Sequence, residues 1–244
     1  MKPSASTIGG AGLRLVFRAA KVLRPLRPIH PGGISLTGLL ERLPVPAPGS
    51  GISWLDTPGT VTVQARLSRS VGLPPALPDI LGLALRIPAG SAYCDLLLAS
   101  TGLSRPGRFL LVPRKSVSAA ALTTLMPYKG GRGPVQLAAR TLAPVTGLPA
   151  APDAFRRALA GRTWTLALYH AGPWGKWRRF GTLSLGLDPA RADTGVRFDP
   201  VLHPLPGAEI YEWTRRLREP SYAVARLPLR PGIGRNEVAE NYPK

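Results

Sequence analysis

Proline and glycine punctuate this chain so densely that short extended segments, not long helices, must build most of it. The 244 residues include 28 Pro and 27 Gly, and each Pro fixes φ and removes a backbone donor. Between these breaks stand short apolar runs. Val61–Leu67 alternates, with Val61, Val63, Ala65 and Leu67 on one face, which is the period of a half-buried strand. Ile80–Ile87, Asp95–Leu98 and Phe109–Val112 are short apolar runs bounded by Pro and Gly, and Trp164–Tyr169 and Phe180–Leu187 read as two later strands, the second alternating. Strands of this length separated by Gly/Pro turns predict a barrel or a sandwich. Three stretches have helical spacing: Leu13–Leu23, stopped by Pro25; Pro113–Tyr128; and Ala208–Arg218. The fold class read from this pattern is α+β. Residues 1–24 form a basic helical arm and residues 25–244 a single domain, with Thr141–Pro152 a loop and not a linker.

Composition removes several function classes. Hydrophobic residues make up 44% of the chain, enough for a packed core and unlike a disordered segment. No apolar run approaches the roughly 18–20 residues of a membrane helix. The apolar stretch near Leu13–Val16 is broken by Arg14 and Arg18 and lacks the features of a secretion signal, so the expected location is cytoplasmic. The single cysteine, Cys94, excludes an internal disulfide and a multi-cysteine metal site; it reads as a core residue. The formal charge is +19, and 26 of the 32 basic residues are Arg. Such a field favours an anionic partner: nucleic acid, an anionic membrane surface or an anionic ligand. Drift toward a GC-rich codon usage accounts for the Arg, Ala, Gly and Pro equally well. The Leu13–Leu23 segment is basic and amphipathic, compatible with a membrane-peripheral position or with packing on its own domain.

Three separated constellations carry chemistry. Arg27 stands three before His30 and Gly33 three after it, and imidazole is the natural proton carrier near neutral pH. Arg66 and Ser68 end the alternating strand, followed by Asp79 and Gly82. Late in the chain, Arg218, Tyr222 and Arg226 share a face if their segment is helical. Nearby cations lower a phenol's pKa, and a phenolate is a competent axial ligand for heme iron.

Together and in this order the motifs resemble those of catalases. The Arg-x-x-His-x-x-Gly element is matched by Arg27, His30 and Gly33, and Arg-Phe-Ser by Arg66, Leu67 and Ser68. Asp-x-x-Gly-Phe-Ala is matched by Asp79, Gly82, Leu83 and Ala84, and Asp95–Thr101 looks like the Asp-Leu-Val-Gly-Asn-Asn-Thr segment. Phe198-Asp199-Pro200 and Arg218-x-x-x-Tyr222 complete the series over residues 24–230. The resemblance implies an antiparallel β-barrel with flanking helices, binding b-type heme and acting on hydrogen peroxide or organic hydroperoxides. It implies His30 as the base that moves the peroxide proton, with Ser68 holding His30. It implies Tyr222 as proximal iron ligand kept ionised by Arg218, with Arg27, Arg66 and Arg226 on the heme propionates.

One departure bears on activity. The family's distal Asn falls at Ala99, or at Ser100 if the register slips by one. Alanine cannot donate a hydrogen bond, and one missing donor typically costs about 10²–10³ in rate. Peroxidase-like chemistry is therefore favoured over fast peroxide disproportionation. Two other readings stand beside this one. One is a heme-free barrel serving as a basic module for nucleic acid or an anionic membrane, motivated by Trp174, Lys176, Trp177, Arg178 and Arg179 in one short stretch; the same stretch also reads as a hairpin turn. The other is a phosphodiesterase-type hydrolase, for which His30, His170 and His203 would have to converge. His170 reads as a loop residue, and Tyr211 and Tyr242 compete with Tyr222 as phenolate candidates.

Overall fold

The structure is a computed structural model, which describes residues 32–45 and 48–217. The N-terminal arm, Arg27, His30, Arg218, Tyr222, Arg226 and Tyr242 lie outside the described residues.

The chain enters β1 (Gly33–Arg42), makes a short helix α1 (Ser53–Asp56), and continues through β2 (Gly59–Arg69), β3 (Leu81–Ala89) and β4 (Ala92–Thr101). A 3-10 turn at Gly107–Phe109 leads to the short strands β5 (Ala121–Thr123) and β6 (Tyr128–Gly130), then β7 (Gly133–Ala143). Helix α2 (Pro152–Leu159) precedes the hairpin β8 (Trp164–Ala171) and β9 (Arg178–Leu187), and β10 (Glu209–Ile210) follows. Every pairing is antiparallel, in the order β1-β2-β3-β4-β5-β7-β8-β9, and β9 pairs back onto β1. The result is a closed eight-stranded barrel, which leaves no unpaired edge among its strands. β6 and β10 extend the sheet beyond β7.

Alternation decides what fills the barrel. Ile34, Leu36 and Leu40 on β1, Val63, Ala65 and Leu67 on β2, and Leu83, Leu85 and Ile87 on β3 are all buried and belong to one core cluster. Gly38 stands where β1 crosses β9: a Cβ there would lie 1.8 Å from the Ser184 carbonyl oxygen, so only glycine lets this seam close. α2 has Pro in its first turn, where the missing N–H costs nothing. It buries Phe155 and Leu159, and Phe155 meets Trp164 edge-on at 5.8 Å. Truncating either ring would cost about 3–5 kcal/mol.

Five of the ten strands, β2, β3, β4, β8 and β9, fall on the apolar runs named above, while β1, β5, β6, β7 and β10 are not expected from them, and the fold is mainly β, with few helices among the described residues. The segment Pro113–Tyr128 is not helical. It contains turns and β5, and its apolar residues Val117, Ala120 and Leu122 enter the core from irregular backbone. Ser116 and Ser118 explain why: their hydroxyls bond the backbone of Leu148 from opposite sides, Ser116 donating to its carbonyl and Ser118 accepting its N–H. Phe109–Val112 is not a strand but the end of the 3-10 turn followed by an isolated bridge from Leu111 to Thr101. Within Ala208–Arg218, β10 occupies the start and residues 212–217 are helical. His170 is not in a loop; it is an inward residue of β8, 5% exposed.

Candidate functional site

The barrel register brings Gly33 of the first motif into one row with residues of the second motif and of the Asp95–Thr101 segment. Gly33 on β1 pairs Ser68 on β2, Ser68 pairs Gly82 on β3, and Gly82 pairs Ala99 on β4. Paired residues of neighbouring strands project to the same face. Their sequence neighbours Leu67, Leu83 and Leu98 fill the core, so Gly33, Ser68, Gly82 and Ala99 form a rung on the outer face. The rung continues through Thr123 and Ala138. Gly33, Ser68, Gly82, Thr123 and Ala138 are nevertheless buried, and Ala99 is half-buried. The rung is thus a row of small residues on the outside of the barrel, and the Arg66 guanidinium already covers Gly33.

The two candidate positions at the end of β4 face opposite ways. Ala99 lies on the rung with Ser68. Ser100 points to the opposite face and is consumed by backbone, accepting from Leu81 N–H at 3.0 Å and donating to the Val112 carbonyl at 2.7 Å. Ser68 Oγ donates to the Gly82 carbonyl at 3.4 Å, the long limit for such a bond.

Arg66 sits two residues before Ser68, on the same face and 6% exposed. It forks onto Asp193, with Nε to Oδ1 at 2.7 Å and Nη2 to Oδ2 at 3.0 Å. Gly33 N–H donates to the same carboxylate at 3.0 Å. A Cβ on Gly33 would stand 2.5 Å from the Arg66 guanidinium carbon, so the glycine of the first motif is the place where the arginine of the second one crosses β1. Burial alone would raise the Asp193 carboxyl, but the Arg66 bond and charge and the N–H groups of Thr194 and Gly33 hold it below the ordinary carboxylate range. Nothing in the sequence marks Asp193; its only signal is that carboxylates are scarce in an arginine-rich chain.

Two more carboxylates shape the surroundings. Asp79, 1% exposed, accepts the N–H groups of Val71, Gly72, Leu73 and Ile80 at 2.7–3.1 Å and so ties the β2–β3 connection. Asp95 on β4 is fully buried and faces Arg86 on β3 across the strand pair. Arg86 Nε and Nη2 reach its two oxygens at 2.9 and 2.8 Å. The bond to Asp95 raises the Arg86 pKa against the opposing effect of burial. The guanidinium also lies 4.0 Å from the Tyr93 ring and 5.4 Å from Phe198, and Asp199 N–H donates to Asp95 at 2.8 Å. This cluster fastens residues 197–203 to the barrel wall. The aspartates of the Asp79, Asp95 and Phe198-Asp199-Pro200 motifs thus serve the scaffold around the rung.

The remaining candidates scatter. His170 faces the interior against Phe180, its pKa lowered by burial. His203 packs on Tyr93, with its Nε2 3.2 Å from the phenol oxygen. Tyr211 stacks on Trp213. Among the described residues no group of three His, Cys, Asp or Glu could hold a metal ion, and no helix is long and apolar enough to cross a membrane.

No protein-family model matches the sequence, and the comparison with curated proteins found no match. Solved structures do match. Catalase A from Saccharomyces cerevisiae superposes with a TM-score of 0.63 at 15% identity, over 87% of this chain and 63% of that one. A fungal catalase gives 0.58 at 16% identity, over 83% and 59%. A bacterial catalase gives 0.50 at 13% identity, over 95% and 66%. The chain therefore spans 59–66% of the length of these catalases. At such identities the likeness is one of fold: this chain is built on a β-barrel of the kind found in catalases.

Proposed function

We propose that the chain is a heme-binding protein that acts on hydrogen peroxide or an organic hydroperoxide. The observation that carries this reading is the buried small-residue rung, which gathers Gly33, Ser68, Gly82 and Ala99 from four strands of a catalase-type barrel. Small side chains on four neighbouring strands support this reading, because a flat, mostly apolar macrocycle needs a face free of bulk, and the Arg66 guanidinium over Gly33 would mark its edge. When bound, heme would supply iron for peroxide activation. Carried over from the motifs, Tyr222 would ligate the iron and Arg218 would keep its phenol ionised. Arg27 and Arg226 would meet the propionates. Arg66 would join them only while also holding Asp193.

What the chain's own residues do follows from their chemistry. Ser68 has one proton to donate and two lone pairs, so its hydroxyl can accept from a ring N–H of His30 while donating to Gly82. That fixes the imidazole tautomer and leaves its other nitrogen to take a proton from peroxide and return it to the departing oxygen. Ala99 offers no hydrogen to orient peroxide on this face, which favours peroxidase-like turnover over disproportionation.

Absorption spectra of the purified protein after heme addition test the reading, for wild type and Tyr222→Phe. A Soret band that shifts or disappears in the variant is expected. No band in either protein would reject heme binding. Ala99→Asn then tests the missing donor: peroxide disproportionation should rise by about 10²-fold.

A further inference from the structure

Acidic residues are almost absent from one long part of the chain. Between Asp95 and Asp188 there is one carboxylate, Asp153, among 13 Lys and Arg residues. Within this region the tip of the β8–β9 hairpin and the excursion that follows β4 are locked together. Arg108, 2% exposed, donates to the carbonyls of Gly172 at 2.9 Å and Gly175 at 3.1 Å. Its guanidinium lies 4.3 Å from the Trp177 ring, and Trp177 Nε1 donates back to the Leu103 carbonyl at 2.9 Å. Thr123 Oγ1 donates to the Arg108 carbonyl. No carboxylate neutralises Arg108 among the described residues; its Nε is buried without a hydrogen-bond partner, and burial and Arg105 lower its pKa.

This joint presents large apolar side chains to solvent. Trp174 is 65% exposed at the hairpin tip, and Leu110 and Leu111 are 61% and 47% exposed on the neighbouring excursion. Phe109 links the two, its ring 6.1 Å from Trp174. Exposed Arg105 and Lys176 flank them, and neither pairs with a carboxylate among the described residues. Large apolar side chains exposed together mark an interaction surface, and a positive rim selects an anionic partner.

We propose that this joint docks on an anionic phospholipid bilayer. Trp174, Leu110 and Leu111 enter the interfacial layer, and Arg105 and Lys176 meet the headgroup phosphates. Trp favours the membrane–water interface, and adjacent cations add attraction to anionic lipid. Leu110 and Leu111 decide against single-stranded nucleic acid, because aliphatic side chains provide no stacking platform for bases. Rigid coupling through Arg108 means the apolar groups arrive together, with little ordering cost. The proposal does not depend on heme binding.

The test uses the full chain and vesicles of phosphatidylcholine alone or with phosphatidylserine, read by cosedimentation at low and high salt. Binding should require phosphatidylserine and weaken as salt rises. Trp174→Ser with Leu110→Ser should weaken it by at least about tenfold, and Arg105→Ala with Lys176→Ala by about 30-fold. Both pairs are surface changes, and circular dichroism checks that each variant is folded. Quenching of tryptophan fluorescence by brominated lipid should fall in a Trp174→Phe variant that still binds. Equal binding to both vesicles, no binding at low salt, or wild-type binding by both double variants would overturn the proposal. So would salt-sensitive binding of a single-stranded oligonucleotide together with no vesicle binding, which would make the surface a nucleic-acid site.

Discussion

Replacing Asp95 with Asn changes no volume and should still destabilise the protein severely. One Asp95 oxygen accepts Arg86 Nε, and the other accepts both Arg86 Nη2 and the Asp199 N–H. An amide keeps only one of these acceptors; its NH2 would face a donor wherever it is placed. Breaking one side of a buried ion pair costs about 3–5 kcal/mol. The Arg86 side chain keeps 19% exposure, so water recovers part of its hydration and the lower end applies, about 3 kcal/mol. For a chain of this size that corresponds to a fall in Tm of about 6–12 °C. Thermal unfolding followed by circular dichroism measures it, in a cycle with Arg86→Met. If the pair acts as a unit, the double variant should cost at least about 2 kcal/mol less than the sum of the singles. Additivity within about 0.5 kcal/mol would refute the reasoning, because it would mean that Arg86 and Asp95 do not sense each other's charge.

Three further expectations follow from buried groups. Burial pushes the Cys94 thiol up to about 12, so a thiol reagent at pH 8 should leave the native protein unmodified and titrate one thiol after denaturation. Burial holds His170 below its ordinary 6.5; the unfolded chain then binds the proton first, so stability is full above pH 6.5 and falls as pH drops below it. Urea midpoints between pH 7.5 and 5 should show that slope, and His170→Gln should flatten it. Gly33→Ala places a methyl group against the Arg66 guanidinium and should cost about 1–3 kcal/mol by displacing it from Asp193. Acid titration should show part of the same loss: Asp193 is held below 3.8, so its contribution is present above that pH and fades as pH falls through the lowered value.

How much of this was legible beforehand differs from element to element. Val61–Leu67 announces β2 because alternation is a local property, and one buried face suffices to produce it. The motif spacing around Ser68, Gly82 and Ala99 was legible for the same reason: hairpin neighbours are close in sequence, so β2, β3 and β4 keep their register through short turns. β7 escaped notice because its Arg- and Ala-containing sequence lacks a strong apolar period. Helix α2 was missed although Pro152 and Asp153 mark its start, because it is only eight residues long. Pro113–Tyr128 has helical spacing yet turns irregularly, since Ser116 and Ser118 find their partners at Leu148, some 30 residues away. Asp193 reaches Arg66 across 127 positions, a distance over which no sequence period carries information.

The sequence by itself determined that short strands would dominate, that they would alternate, and that catalase-like motifs would follow one another in a definite order. Tertiary structure decided that β9 returns to β1 and closes the barrel, which makes one face interior and the other exterior for every strand at once. The fold also brings Asp193 to Arg66 and Trp174 to Phe109. These outcomes rest on contacts between distant segments, whose energies appear only when the chain has already folded back on itself.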